Sequence, residues 1–217
     1  MFARSPVALR EWAVTCDALA RGEQIFILRD DLPARPPPSP DREGDPADGP
    51  EAPEAPTPAD RADALLHEEF WLWPDWEAQR AVALTGPYRD RMRALDELRH
   101  RDGRVRLAYY ATVEYVERIA SLHRLMALDG EHVLEAGAVE ERLATSGRPG
   151  PCLLALRVHG LPGATLVDRD AARPGPGPWI RLPEPVPTGD AEPVVADERF
   201  LSEKGRILRL AGSLKAV

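Results

Sequence analysis

A strict alternation of apolar and polar positions marks two segments of this chain, and a period of two predicts half-buried β-strands. The clearer segment is RVRLAYYATVEYV at 104–116. The residues predicted to share its apolar face are Val105, Leu107, Tyr109, Ala111, Val113 and Tyr115. The other segment is LLHEEFWLW at 65–73, which Pro74 is predicted to end. Its predicted faces are Leu66, Glu68, Phe70 and Leu72 against Leu65, His67, Glu69, Trp71 and Trp73.

Helical spacing of apolar residues predicts a helix near the amino terminus, which Gly22 would stop. The residues that would share its buried face are Leu9, Trp12, Ala13, Cys16, Leu19 and Ala20. A hairpin is the alternative, because every second residue from Trp12 to Ala18 is also apolar.

The remaining patterns predict a mixture of helices and strands. A short helix after Asp75 would carry Trp76, Gln79 and Arg80, with Asp75 as its N-cap. Further helices are predicted over 88–102, around 118–128, and over 132–144 and 198–210. Strands are predicted at 24–29 and 152–161, and a rigid loop at 174–183. Because strands and helices do not alternate regularly, we expect an α+β fold with a mixed, mostly antiparallel sheet flanked by helices.

A proline-rich segment interrupts these patterns. Residues 33–60 contain ten prolines and no large apolar side chain, so they cannot bury enough surface to offset the entropy of ordering. We therefore expect a disordered acidic linker at 31–62. It would divide a single domain into an amino-terminal helix and strand, at 1–30, and the remainder, at 63–217.

Charge and cysteine content narrow the classes of protein only slightly. The formal net charge is −8, but residues 31–63 hold nine acidic residues and three arginines, so the rest of the chain is close to neutral. Two cysteines, Cys16 and Cys152, make no disulfide framework, and no apolar run reaches the roughly 18 residues of a membrane span. We expect a cytoplasmic protein without a membrane partner.

Side chains that could bind a ligand or transfer a proton are concentrated in one segment, HEEFWLWPDWEAQ at 67–79. Packing is the interpretation that its residue types favour most, because aromatic residues on strands usually bury area. The functional hypothesis is a base-binding pocket: Trp71 or Trp73 would stack on a base, and Gln79 would bond to its edge. His67 and Glu69 would share one face of the strand as an oriented, protonatable pair.

An enzyme is a weaker alternative. His67 with Glu68 or Glu69 has acid–base chemistry, but the chain lacks a nucleophile elbow, a phosphate-binding loop and a dinucleotide turn. We assign no catalytic residue, no metal ligand and no cofactor.

Four segments together resemble the bacterial family called domain of unknown function 1802: LREWAVTCDALARGEQIFILR, HEEFWLWPDWEAQ, CLLALRVHGLP and PGPGPW. Members of that family show a Gly-Cys-x-Ser-Trp loop, of which this chain keeps Gly177 and Trp179, and we add Trp179 to the candidate site. The family's polar positions at Asp75 and Ala78 differ here, as does its Lys-Gly-Gly-Ile turn, which is replaced from Asp30 onward. Some members are linked with restriction-endonuclease-type domains, which implies a restriction or defence context.

The opening is also distantly similar to domains of the pseudouridine-synthase and archaeosine-transglycosylase type, several of which bind modified bases. Their hydrolase-type relatives carry a lysine where this chain has Gln24. The function we expect is a non-catalytic module that recognises nucleic acid or a modified base, with another defence protein as a further candidate partner. The alternatives are a small hydrolase that uses His67 and a carboxylate, and an interaction protein that exposes the aromatic segment.

We predict that replacing residues 33–60 with a short Gly-Ser bridge leaves the folded part intact, because no large apolar side chain is removed. Thermal melts of the full-length and shortened proteins test this. A fall in Tm of more than about 5 °C contradicts the prediction, because it means that the segment packs on the domain.

Overall fold

The computed structural model describes residues 4–32, 66–97, 99, 102–145 and 150–212. The predicted linker at 31–62 lies outside these residues except for its first two, and both of those belong to the domain. Leu32 is buried in a hydrophobic cluster, and Asp31 bonds to Arg29. In the described parts of the chain, no helix is long and apolar enough to cross a membrane.

One sheet of eight strands organises the described residues, in the order β2-β5-β4-β3-β1-β7-β6, with β8 paired to β5. The strands are β1 (Arg4–Trp12), β2 (Phe26–Arg29), β3 (Glu69–Asp75), β4 (Arg104–Arg118), β5 (Cys152–Asp168), β6 (Arg173–Pro174), β7 (Trp179–Pro187) and β8 (Glu192–Pro193). Strands β1 and β3 are parallel, and the other pairs are antiparallel. The mixed, mostly antiparallel sheet of an α+β fold is thus confirmed.

Five α-helices and one short 3₁₀ helix complete the described chain. They are α1 (Ala13–Ala20), the 3₁₀ helix (Ala81–Ala83), α2 (Gly86–Glu97), α3 (Leu122–Met126), α4 (Ala136–Thr145) and α5 (Asp197–Leu210). These α-helices agree with the helical patterns predicted after residue 86 to within a few residues. The short helix predicted after Asp75 is absent: the Asp75 carboxylate accepts hydrogen bonds from the amides of Glu77 and Ala78 in a turn.

The amino-terminal prediction is wrong in part. Residues from Arg4 to Trp12 form a strand, and the helix begins only at Ala13. The reason is pairing on both edges, since β1 lies between β3 and β7 and buries Ala8 and Leu9 there completely. Gly22 ends the helical segment with φ 64°, a left-handed conformation that glycine adopts without strain.

Strand β3 begins at Glu69 and continues through Pro74, so the prediction that Pro74 ends it is wrong. Its ladder with β4 stops at Trp71, whereas its pairing with β1 reaches Asp75. The last part of β3 therefore has a free edge on its β4 side, and proline is tolerated at such an edge.

Both faces of β3 are buried. Phe70 and Leu72 pack into a cluster with α1, β5 and Trp179, whereas Trp71 and Trp73 pack into a second cluster on the opposite face. The predicted division of the two faces is confirmed for these four side chains, which are at most 5% exposed. It is wrong for His67, whose ring contacts Trp179 on the side of Phe70. Every buried member of the second cluster, called the strand-only cluster below, comes from a strand, so the sheet itself encloses it.

Two β-bulges break the alternation predicted for β4. Register shifts lie between Leu107 and Tyr109 and between Val113 and Tyr115. As a result, Leu107 packs in the strand-only cluster with Tyr110, whereas Tyr109 packs on the other side of the sheet. The prediction of one apolar face from Val105 to Tyr115 is wrong, because each extra residue reverses the direction of those that follow.

The segment predicted as a rigid loop at 174–183 is mostly strand. Strands β6 and β7 pair as a hairpin, and its loop is closed by a 2.8 Å hydrogen bond from the amide of Gly175 to the carbonyl of Trp179. Gly177 turns this loop with φ 61°. The prolines in this segment lie in the loop or on strands near the edge of the sheet, where few donors are lost.

Two-sided burial of β3 predicts that Phe70→Ala and Trp71→Ala each lower the free energy of unfolding by about 3–5 kcal/mol, because each leaves a large cavity. Chemical denaturation of the purified variants measures this. Val82→Ala is the control: its side chain is 81% exposed, and we expect a change within about 0.5 kcal/mol. A Trp71→Ala protein as stable as the Val82→Ala control contradicts burial of the second face.

Candidate functional site

The candidate residues chosen from the sequence occupy three separate places. Glu69, Trp71 and Trp73 belong to the strand-only cluster and its edge. Gln79 lies at the amino-terminal end of α1. His67 and Trp179 meet each other on the opposite side of β3. The structure therefore separates His67 from Glu69, because β3 begins only at Glu69.

The tryptophans of β3 are packing residues. Trp71 is completely buried against the ring of Tyr110, with ring centroids 5.6 Å apart, and Trp73 is 5% exposed. The hydroxyl of Tyr110 donates a hydrogen bond to the carboxylate of Glu69. Burial and this carboxylate together raise the pKa of Tyr110, which therefore remains protonated. Neither tryptophan offers a free face on which a base could stack.

Gln79 and Gln24 both satisfy backbone groups. The side-chain oxygen of Gln79 accepts a hydrogen bond from the amide of Val14, 3.3 Å away, in the first turn of α1, where amides lack partners within the helix. Gln24 donates to the carbonyl of Phe26 and accepts from the amide of Val133. Gln24 is thus a structural residue at the position where the hydrolase-type domains carry lysine.

His67 and Trp179 line a surface cleft of about 340 Å³. Their rings meet edge to face, with centroids 4.9 Å apart, and Trp179 in turn contacts Phe70. The indole nitrogen of Trp179 is buried and has no hydrogen-bond partner among the described residues. The residues that line this cleft, called the arginine cleft below, are Val7, His67, Arg173, Pro174, Gly175, Pro176, Trp179, Ile180 and Arg181.

Two arginines face each other across the hairpin that borders this cleft. Arg173 of β6 and Arg181 of β7 are directly opposite partners in the ladder, and both are exposed. Like charges in that position destabilise a sheet. Neither arginine forms an ion pair or hydrogen bond with any described residue. The pair is therefore a concentration of positive charge that the described protein does not neutralise.

The pKa of His67 reflects its burial and the positive charge of the neighbouring Arg181. Burial lowers the pKa of His67, and the nearby charge of Arg181 lowers it further. Protonation of His67 is therefore less favourable than that of an ordinary histidine, and an anion in the cleft would supply the missing counter-charge. Guanidinium groups bind phosphate and carboxylate oxygens through two parallel hydrogen bonds. The cleft is suited to an anionic group, with His67 as a third donor.

A second cleft, of about 240 Å³, adjoins the arginine cleft and shares Arg173, Pro174 and Ile180 with it. It adds Arg10 and Arg169 to the positively charged surface. These two arginines have acidic neighbours, since Arg169 pairs with Glu77 at 2.9 Å and Arg10 lies 4.0 Å from Asp75. The uncompensated charge is thus concentrated at Arg173 and Arg181.

Sequence reasoning missed Arg173 and Arg181. The signal was present in RPGPGPWIR, in which an arginine lies on each side of a Pro-Gly loop. Read as a hairpin, this segment would bring its two arginines opposite each other, but the five prolines and glycines between 174 and 178 favoured a loop without pairing.

Comparison with known proteins adds a family but no activity. The model of the family described as Domain of unknown function (DUF1802) matches residues 61–206. The chain belongs to this family. The range that matches the DUF1802 family includes His67, Arg173 and Arg181, so the cleft lies within it except for Val7. No curated protein and no solved structure matches the chain.

We predict that Arg181→Gln raises the pKa of His67, because it removes the charge that disfavours the imidazolium. An NMR titration of the imidazole measures the change. The wild-type pKa should lie below the ordinary value of 6.5. Arg209→Gln, on α5, is the matched control and should leave the His67 titration unchanged. Equal titrations of His67 in wild type and Arg181→Gln would contradict the geometry of the cleft.

Proposed function

We propose that this chain is a non-catalytic module that recognises nucleic acid, or a modified base within it, through the arginine cleft. The observation that carries the proposal is the Arg173–Arg181 pair, two exposed arginines at opposite positions of a ladder without an acidic partner in the described chain. Phosphate contacts from arginines supply most of the non-specific affinity of proteins for nucleic acid. The resemblance to family members linked with restriction-type domains suggests a bacterial restriction or defence system as the setting.

The small amount of unpaired positive charge on the surface favours a single strand over a duplex. The folded part is close to neutral, and the two adjoining clefts hold four arginines, of which two are already paired or near an acid. A protein that covers a duplex usually presents a broader basic face. We therefore expect a few phosphate contacts and a shallow dependence of affinity on salt.

Two alternatives receive less support from the described residues. A hydrolase that uses His67 needs a carboxylate to orient the imidazole, but no described carboxylate is hydrogen-bonded to His67, whose neighbours are Trp179 and Arg181. An interaction protein that exposes the aromatic segment needs its tryptophans at the surface, but Trp71 and Trp73 are buried.

The test is binding of a fluorescent single-stranded oligonucleotide at several salt concentrations, measured by anisotropy. For Arg173→Gln/Arg181→Gln we expect at least about a tenfold loss of affinity, because each charge-assisted hydrogen bond contributes roughly 1.5–3 kcal/mol. The slope of log Kd against log salt should fall by about 1.4, the contribution of two contacts to a single strand. The oligonucleotide should remain intact throughout.

Arg93→Gln/Arg209→Gln is the matched control, since it removes the same charge from two exposed helical positions that do not line the cleft. If both double variants lose affinity equally, binding is a general charge effect and the cleft is not the site. If the wild-type protein binds no oligonucleotide, the proposed function is wrong.

A further inference from the structure

The sheet opens between β3 and β4. Their ladder joins only three residue pairs and ends at Trp71 and Tyr110. Beyond this point β3 continues beside β1, and the first part of β4 continues beside β5. The two strands diverge, and a groove of about 400 Å³ lies between them under α1 and α2. This groove is larger than either of the two basic clefts described above.

Two half-buried aromatic side chains line the groove, Trp76 and Tyr109. Trp76 follows β3 directly, in the turn that the carboxylate of Asp75 holds by accepting two backbone hydrogen bonds at 2.9 and 3.1 Å. Tyr109 reaches the groove because of the bulge after Leu107, since regular alternation would place it with the strand-only cluster. A bulge that redirects a side chain is typical of the border of a binding site.

The rest of the groove is apolar inside and positively charged at its rim. Leu72, Leu95 and Cys16 contribute to its walls, and burial raises the pKa of the Cys16 thiol, which therefore remains uncharged. At the rim, Asp17 is paired with Arg21 at 2.9 Å. Arg106 has no ion pair or hydrogen bond with any described residue.

We infer that this groove is a subsite for one unstacked nucleobase, with Trp76 as the stacking surface and Arg106 beside the adjoining phosphate. The inference rests on the proposed function and extends it from the phosphate to the base. An apolar groove with an aromatic wall fits a base, whose faces are apolar and whose edge carries donors and acceptors. The edges of β3 and β4 that lose their ladder at the groove offer backbone groups for that edge.

The groove and the basic clefts lie along one route. The groove shares Pro74 with the second cleft, which in turn shares Arg173, Pro174 and Ile180 with the arginine cleft. A single strand could therefore place its backbone on the arginines and one base beside Trp76. A mononucleotide or another aromatic anion would satisfy only part of this arrangement.

The experiment compares two strands of equal length, one with thymine bases and one of abasic residues, which has the same phosphates. We expect the wild-type protein to bind the thymine strand about 5- to 150-fold more tightly, the range that stacking of one base on an aromatic side chain provides. Trp76→Leu should bind both strands equally, whereas Trp76→Phe should retain a preference for thymine. Thermal melts establish that both variants are folded, and Trp76→Phe serves as the conservative control for packing.

The possible results separate the two proposals. If the wild-type protein binds both strands equally, the base subsite is wrong while the arginine cleft stands. A preference for thymine that persists in folded Trp76→Leu likewise overturns the assignment of Trp76. Should the protein bind neither strand, the proposed function fails, and the subsite fails with it.

Discussion

Burial of β3 on both faces is the constraint on which the rest of the described structure depends. A strand with Phe70 and Leu72 on one side and Trp71 and Trp73 on the other exposes large apolar area unless both sides are covered. Helix α1 helps to cover the first side, and residues of β1, β4, β5 and β7 cover the second. The aromatic side chains of β3 are thus needed for stability, and the binding sites that we propose use residues outside this packed part of the strand.

The proposed functional surface lies where this packing ends. The ladder between β3 and β4 stops after three pairs, and the groove beside Trp76 begins there. The hairpin of β6 and β7 lies at one end of the strand order, where Arg173 and Arg181 are exposed. Loops and strand ends tolerate polar, unpaired groups that a central ladder excludes. A rigid two-sided core can therefore hold a site at its border without losing stability.

Acidic partners distinguish a structural arginine of this chain from the arginines of the proposed site. Arg29 is nearly buried, yet its pKa is raised, because Glu11 and Asp31 outweigh the effect of burial. That arginine ties β2 to β1 through its hydrogen bonds to Glu11 and to the carbonyl of Arg10. Arg173 and Arg181 have the opposite arrangement, exposed and facing each other without a described acidic partner. These arginines differ in their acidic partners, and residue type alone does not reveal that difference.

The sequence alone determined the elements whose signal is local. Alternation predicted β4 and, at 65–73, most of β3, and helical spacing predicted α2 and α5, because these periods act over neighbouring residues. Tertiary structure decided the features that depend on pairing between strands far apart in the sequence. It made residues from Arg4 to Trp12 a strand, placed a bulge before Tyr109 and set Arg173 opposite Arg181. A strand's partner, register and covered faces are set by residues far away in the chain, and no local pattern records them.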